Sequence, residues 1–125
     1  MKIMTTKEIA RDFLNLAATG HSHEAFRLHI SPNFKHHNVY FKGDSDTLML
    51  AMEESARLNP NKFFKIHHII GDQKMVAVHS HVKQSTSDLG VAVVHIFRFE
   101  SDKIIELWDL GQPVPGKIIN ENGMF

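Results

Sequence analysis

The chain has 125 residues, with 14 basic and 14 acidic side chains, ten histidines and no cysteine. That length suits one domain, 1–125, able to bury a real core, and zero formal charge supplies no electrostatic drive toward nucleic acid or an anionic membrane. Absent cysteine excludes disulfides, thiolate metal sites and a Cys nucleophile; short apolar runs and a start, "MKIMTTKEIARDF", that turns charged at once point to a soluble, cytoplasmic chain without a secretory signal.

Three helices are predicted first. Residues 5–19 carry a capping box, Thr5 with Glu8, and an apolar stripe of Ile9, Phe13, Leu16 and Ala17, closed by Gly20. Ser22 caps a short helix over about 23–30, stopped by "SPN". A third helix runs from about Ser45 to Leu58, capped by Asp44 or Ser45, with Leu48, Met52 and Ala56 on one face, and ends at "NPN".

From residue 61 the pattern becomes that of strands. "KFFKIHHII", "MVAVHSHVK", "VAVVHIFRFE" and "KIIELWDLG" are β-rich runs separated by "GDQ", "STSDLG" and "ESD". Helices followed by an antiparallel meander read as α+β, with a curved sheet covered by three helices on one side. In the last hairpin, a three-residue "ESD" loop pairs Phe99 with Lys103, Phe97 with Ile105, His95 with Leu107 and Val93 with Asp109. His95 and Asp109 then lie on one face as diagonal neighbours. A two-residue turn instead pairs His95 with Trp108 and separates the two. The first register is preferred because its shared face is almost wholly apolar, whereas the other carries Arg98 and Glu106.

The histidine excess falls into clusters. "NFKHHN" holds His36 and His37 in a loop or edge strand; "VHSHV" puts His79 and His81 on one strand face, a spacing also compatible with a metal if His37 or His95 joins them. His67 and His68 are adjacent and so point to opposite faces of a regular strand. His95 beside Asp109 reads either as an acid–base pair or as a satisfied polar contact in a core.

These segments resemble the SnoaL-like group of the nuclear transport factor 2-like proteins. "HHNVYFKGD" stands where that group carries a "Q-H-N-P" stretch, with His37 and Asn38 matching. "AVVHIFRFESDKIIELWDLGQPVP" is similar to the group's "AVVDIFRxEDGKIVEHWDxxQPVP", and "NENGMF" matches its ending near "NGMF". Two positions depart: the group's usual Asp is His95, and its usual His is Leu107. In the preferred register these face each other, so a His–Leu pair replaces an Asp–His pair.

The resemblance implies a nuclear transport factor 2-like, cystatin-like cone with an internal cavity. It also implies a reaction without metal or cofactor, an intramolecular aldol condensation, cyclisation or isomerisation of a small carbonyl compound by proton abstraction. Asp109 takes the role of base; His95 and His37 are its catalytic companions, and Asn38, His79, His81, Trp108 and Phe97 contact the substrate. A carboxylate base of this kind works when burial raises its pKa. The resemblance further implies a homodimer through the sheet's outer face, where Ile96, Ile104 and Trp108 would form an apolar patch. The rival reading is a non-catalytic small-molecule-binding or dimerisation module, since one fold hosts many functions.

Overall fold

A computed structural model describes residues 3–125. Its elements run α1 (Thr6–Ala18), α2 (Ser22–His29), β1 (Ile30–His36), α3 (Ser45–Leu58), β2 (Phe63–Gly71), β3 (Met75–Lys83), β4 (Val91–Glu100) and β5 (Lys103–Pro113). Among the described residues, no helix is long and apolar enough to cross a membrane.

Local chemistry sets the helix ends. Thr5 and Glu8 close the capping box on α1, with each side chain bonding to the other's backbone N–H. At its end Gly20 takes a left-handed φ of 86°, and the His21 N–H reaches back to the Leu16 carbonyl at 2.8 Å. That bond turns the chain so tightly that His21, not Ser22, occupies the N-cap of α2; Ser22 is the first helical residue and is buried, with its Oγ unpartnered. Asp44 caps α3 through the Thr47 N–H at 2.9 Å.

The strands form one sheet in the order β1-β5-β4-β3-β2. β2 to β5 make the expected antiparallel meander, but β1 adds to β5 in parallel, so the sheet is mixed rather than antiparallel. A parallel neighbour needs a long connection, and here α3 and three strands intervene between β1 and β5.

The helices cover the inner face. Phe13 of α1 sits edge-on to Phe97 of β4 at 5.9 Å and tilted to Phe26 of α2 at 5.4 Å, and both Phe13 and Phe97 are fully buried. Phe34, Val76, Val78, Phe99, Ile104 and Leu107 complete the sheet's share of this core. Each such side chain contributes about 1.5–3 kcal/mol over leaving it in water.

Two extra residues in the ladders change the faces expected from simple alternation. The β4–β5 turn has two central residues, Ser101 and Asp102, both with positive φ (52° and 60°), and Glu100 pairs with Lys103. Phe99 then pairs with Ile104 and Arg98 with Glu106, leaving Ile105 as a bulge. Neither register expected from the sequence is present. His95 lies directly opposite Asp109, and Phe97 opposite Leu107. Ile104 belongs to the core, so of the expected outer apolar patch only Ile96 and Trp108 stand on the outer face. A second bulge falls at His67, between the pairs Ile66–Ser80 and His68–His79, and it brings both adjacent histidines beside His79.

Candidate active site

The inner face opens into a cavity of about 260 Å³ between the meander, α1 and α3. Leu14, Ala17, Leu48, Met52 and Phe64 make most of its wall apolar, and Asn38, Ser55, Lys62, His95 and Asp109 are its polar members. The volume sits just below the range of about 300–1,000 Å³ usual for small-molecule pockets.

Asp109 is held at one side of this cavity. β5 carries it onto the inner face two residues beyond buried Leu107, and Asn38 reaches it from the β1–α3 loop. Asn38 Nδ2 donates to Asp109 Oδ2 at 2.8 Å. Its orientation is set locally, because Asn38 Oδ1 accepts the Tyr40 N–H at 3.0 Å. His36 fixes the loop in turn: buried and stacked on Phe34, it donates Nε2–H to the Lys42 carbonyl at 2.7 Å and accepts the Asn38 N–H on Nδ1 at 3.2 Å. Among the described residues no donor other than Asn38 reaches the Asp109 carboxylate. Its other oxygen is therefore available to a ligand.

His95 faces Asp109 across the ladder, and directly opposed residues hold their Cβ atoms about 4.5–5.5 Å apart. Burial lowers its pKa from 6.5 to about 4, outweighing the opposite pull of the Asp109 charge. The imidazole is thus neutral at pH 7. Its Nδ1 is buried without a hydrogen-bond partner, which favours the tautomer with the proton on Nε2, since a bare acceptor in an apolar wall costs less than an orphaned N–H.

Several expected site residues stand elsewhere. His37 is on the sheet's outer side, where its Nε2–H donates to Glu106 Oε2 at 2.6 Å and its ring stacks on Trp108 at 5.0 Å. The reason is alternation: His36 points inward, so His37 points out with Glu106 and Trp108. Arg98 completes that group, donating Nε–H to Glu106 Oε1 at 2.9 Å and placing Nη2 2.8 Å from the same oxygen as an ion pair. The His37 hydrogen bond is the main influence holding the Glu106 carboxyl below its usual pKa.

His79 and His81 are likewise on the outer face, alternating with inward Val78, Ser80 and Val82. Phe125 stacks against His81 at 4.3 Å and against His67 at 4.8 Å, so the C-terminal residue lies over this histidine surface. The sheet separates His79 and His81 from His95, and no group of three or more His, Asp or Glu is placed to hold a metal among the described residues. Phe97 packs in the core against Phe13 and does not line the cavity. Of the eight candidates, Asp109, His95 and Asn38 come together. Lys62 joins them at the cavity, a residue whose "NPNK" turn context reads as solvent-exposed surface.

Comparison with solved structures gives the fold. An NTF2-like protein of unknown function from Cytophaga hutchinsonii superposes with a TM-score of 0.71 at 16% identity, over 90% of this chain and 96% of its own. A SnoaL-like polyketide cyclase from Agrobacterium tumefaciens gives 0.70 at 15% identity, over 88% and 93%. A cystatin-fold protein from Novosphingobium aromaticivorans gives 0.70 at 14%, over 86% and 99%. No protein-family model matches the chain, and no curated protein does. The chain has the α+β fold of the NTF2-like proteins. Within that fold its likeness extends to SnoaL-like members.

Proposed function

We propose that this chain binds a small, largely apolar carbonyl compound in the cavity and that Asp109 enolises it without a cofactor. The observation that carries the reading is the pair at the cavity wall: a carboxylate with one free oxygen, opposite a neutral imidazole. Similarity to a protein described as a SnoaL-like polyketide cyclase agrees with it.

In the proposed step, an Asp109 oxygen takes a proton α to the substrate carbonyl, and the C–H electron pair moves into the carbonyl to form an enolate. His95, neutral, offers a ring N–H to the developing oxyanion, while Asn38 holds the second Asp109 oxygen and so aims the first. Positioned donors of this kind act where charge develops and need no reorganisation at that moment. The enolate then attacks a second carbonyl, giving an aldol product, or is reprotonated at another carbon, giving an isomer. Asp109 returns its proton in either case.

The test is deuterium incorporation at the α carbon of small aryl ketones such as 1-indanone and 2-tetralone, followed by NMR in D₂O. Asp109→Asn keeps the Asn38 neighbour and the shape but removes the base, and exchange should fall by about 10²-fold or more. An unchanged exchange rate in a folded Asp109→Asn variant removes Asp109 from this role. Exchange no faster than buffer with the unmodified chain overturns enolisation for this class of ketone.

A further inference from the structure

The junction between α3 and β2 brings a cation to the cavity. Lys62 lines it together with Ser55, Met52 and Phe64, although it follows the "NPN" turn where a lysine normally reaches for water. Its Nζ donates to Ser55 Oγ at 2.7 Å. An ammonium carries three donors, and among the described residues Ser55 is the only partner and no carboxylate pairs with Lys62. Burial pushes the pKa of the ammonium down, as expected for a charge without a counter-ion.

The ladder register shows where this cation stands relative to Asp109. Phe64, two residues beyond Lys62, pairs with Val82, Val82 with Val91, and Val91 with Pro113 on β5. β2 and β5 are thus three strand spacings apart, roughly 14 Å across the sheet. The row through Asp109, His95 and Val78 meets β2 at Ile69, so Lys62 and Asp109 are also offset along the strands by roughly 20 Å before curvature and the inward side chains shorten the gap. Lys62 and Asp109 are opposite poles of one cavity with an apolar floor between them. A single small functional group does not serve both. A ligand with an apolar middle does, placing an anion at Lys62 and its other end at Asp109 and His95.

We infer that Lys62 is a specificity-determining anchor for a carboxylate, and that the cavity prefers an apolar carboxylic acid to its neutral counterpart. Joined to the proposed function, which this inference assumes only for the reacting end, the substrate class becomes a small keto acid with its acidic and carbonyl groups separated by apolar carbon. The carboxylate supplies the charge-assisted acceptor that the ammonium lacks. Ser55 fixes the amine so that fewer rotamers are lost on binding.

The experiment is calorimetric titration at pH 7 of 4-phenylbutyrate and of its neutral isostere 4-phenylbutyramide. The unmodified chain should bind the acid at least about tenfold tighter than the amide. Lys62→Met should bring the two affinities within about twofold, whereas Lys62→Arg should keep the preference. Should Lys62→Met fail to fold, Lys62→Gln serves with the same expectation. Asp109→Asn should also keep the preference, so lost α-proton exchange in that variant and lost acid preference in Lys62→Met report on separate claims. Equal affinity for acid and amide, no binding of the acid, or a preference that survives Lys62→Met each overturns the inference.

Discussion

At the scale of single residues, His95 links burial to a measurable pH dependence. Its folded pKa lies at about 4 against 6.5 for the free side chain. Between those values the unfolded chain takes up a proton that the folded chain refuses. Stability present above about pH 6.5 is therefore lost as the pH falls toward 4, and a shift of this size corresponds to roughly 3 kcal/mol when complete. His95→Leu removes the titration and retains an apolar wall. Urea unfolding of both proteins at pH 7 and pH 4.5 should show the unmodified chain losing roughly 2 kcal/mol more than the variant over that interval. The other nine histidines are common to both and cancel in the subtraction. Parallel pH curves would mean that His95 is solvated and ordinary. Alternation placed His95 and Asp109 on one face only through a register that is absent, since a two-residue turn and the bulge at Ile105 are what bring them together. It could not identify His36 as the residue that fixes Asn38, because adjacent histidines in "KHHN" are chemically equivalent until the strand phase is known. Lys62 was hidden for a different reason, since no local pattern distinguishes a turn lysine facing water from one lining a cavity.

At the scale of elements, the β4–β5 hairpin decides which side chains meet. Strand positions and the meander order are legible, because β-rich runs and turn residues alternate cleanly from residue 63 to 113. The register is not, because two departures from ideality combine there. A two-residue turn shifts the pairing one way, and the bulge at Ile105 restores the inward set further along, so Phe97 and Leu107 share the core face. A residue inserted into a ladder leaves no signature in an all-apolar pair such as Ile104–Ile105. The turn itself offers a test. Ser101 and Asp102 both occupy the left-handed region, which suits Asn-Gly better than Ser-Asp. The double substitution Ser101→Asn with Asp102→Gly should stabilise the fold by about 0.5–1 kcal/mol in urea unfolding, with exchange chemistry at Asp109 unchanged. A destabilised variant would show that the turn is held by contacts beyond its own dihedral angles.

At the scale of the whole molecule, the fold leaves part of its core unfilled. α1 seals one part of the sheet with Ile9, Phe13 and Leu14, whereas α3 presents Ala51, Met52 and Ser55 toward the cavity instead of a continuous apolar row. Interiors normally pack to the density of organic crystals, so an open apolar cavity forgoes stabilisation that larger side chains would supply. If that space exists for a ligand, filling it should trade binding for stability, as is common where a site is carved from a core. Ala51→Leu is the direct probe. It adds three carbons to the cavity wall on a residue with good helix propensity, and the gain should be about 1 kcal/mol in urea unfolding once imperfect packing is allowed for. The same change should weaken 4-phenylbutyrate binding by about tenfold or more, because the added side chain occupies the ligand's apolar middle. Lys62 and Asp109 remain in place, so such a loss reports on volume and not on charge. A variant that binds the acid as before would show that the ligand lies outside this cavity, and one that is less stable would show that the cavity wall has no room to accept a larger side chain.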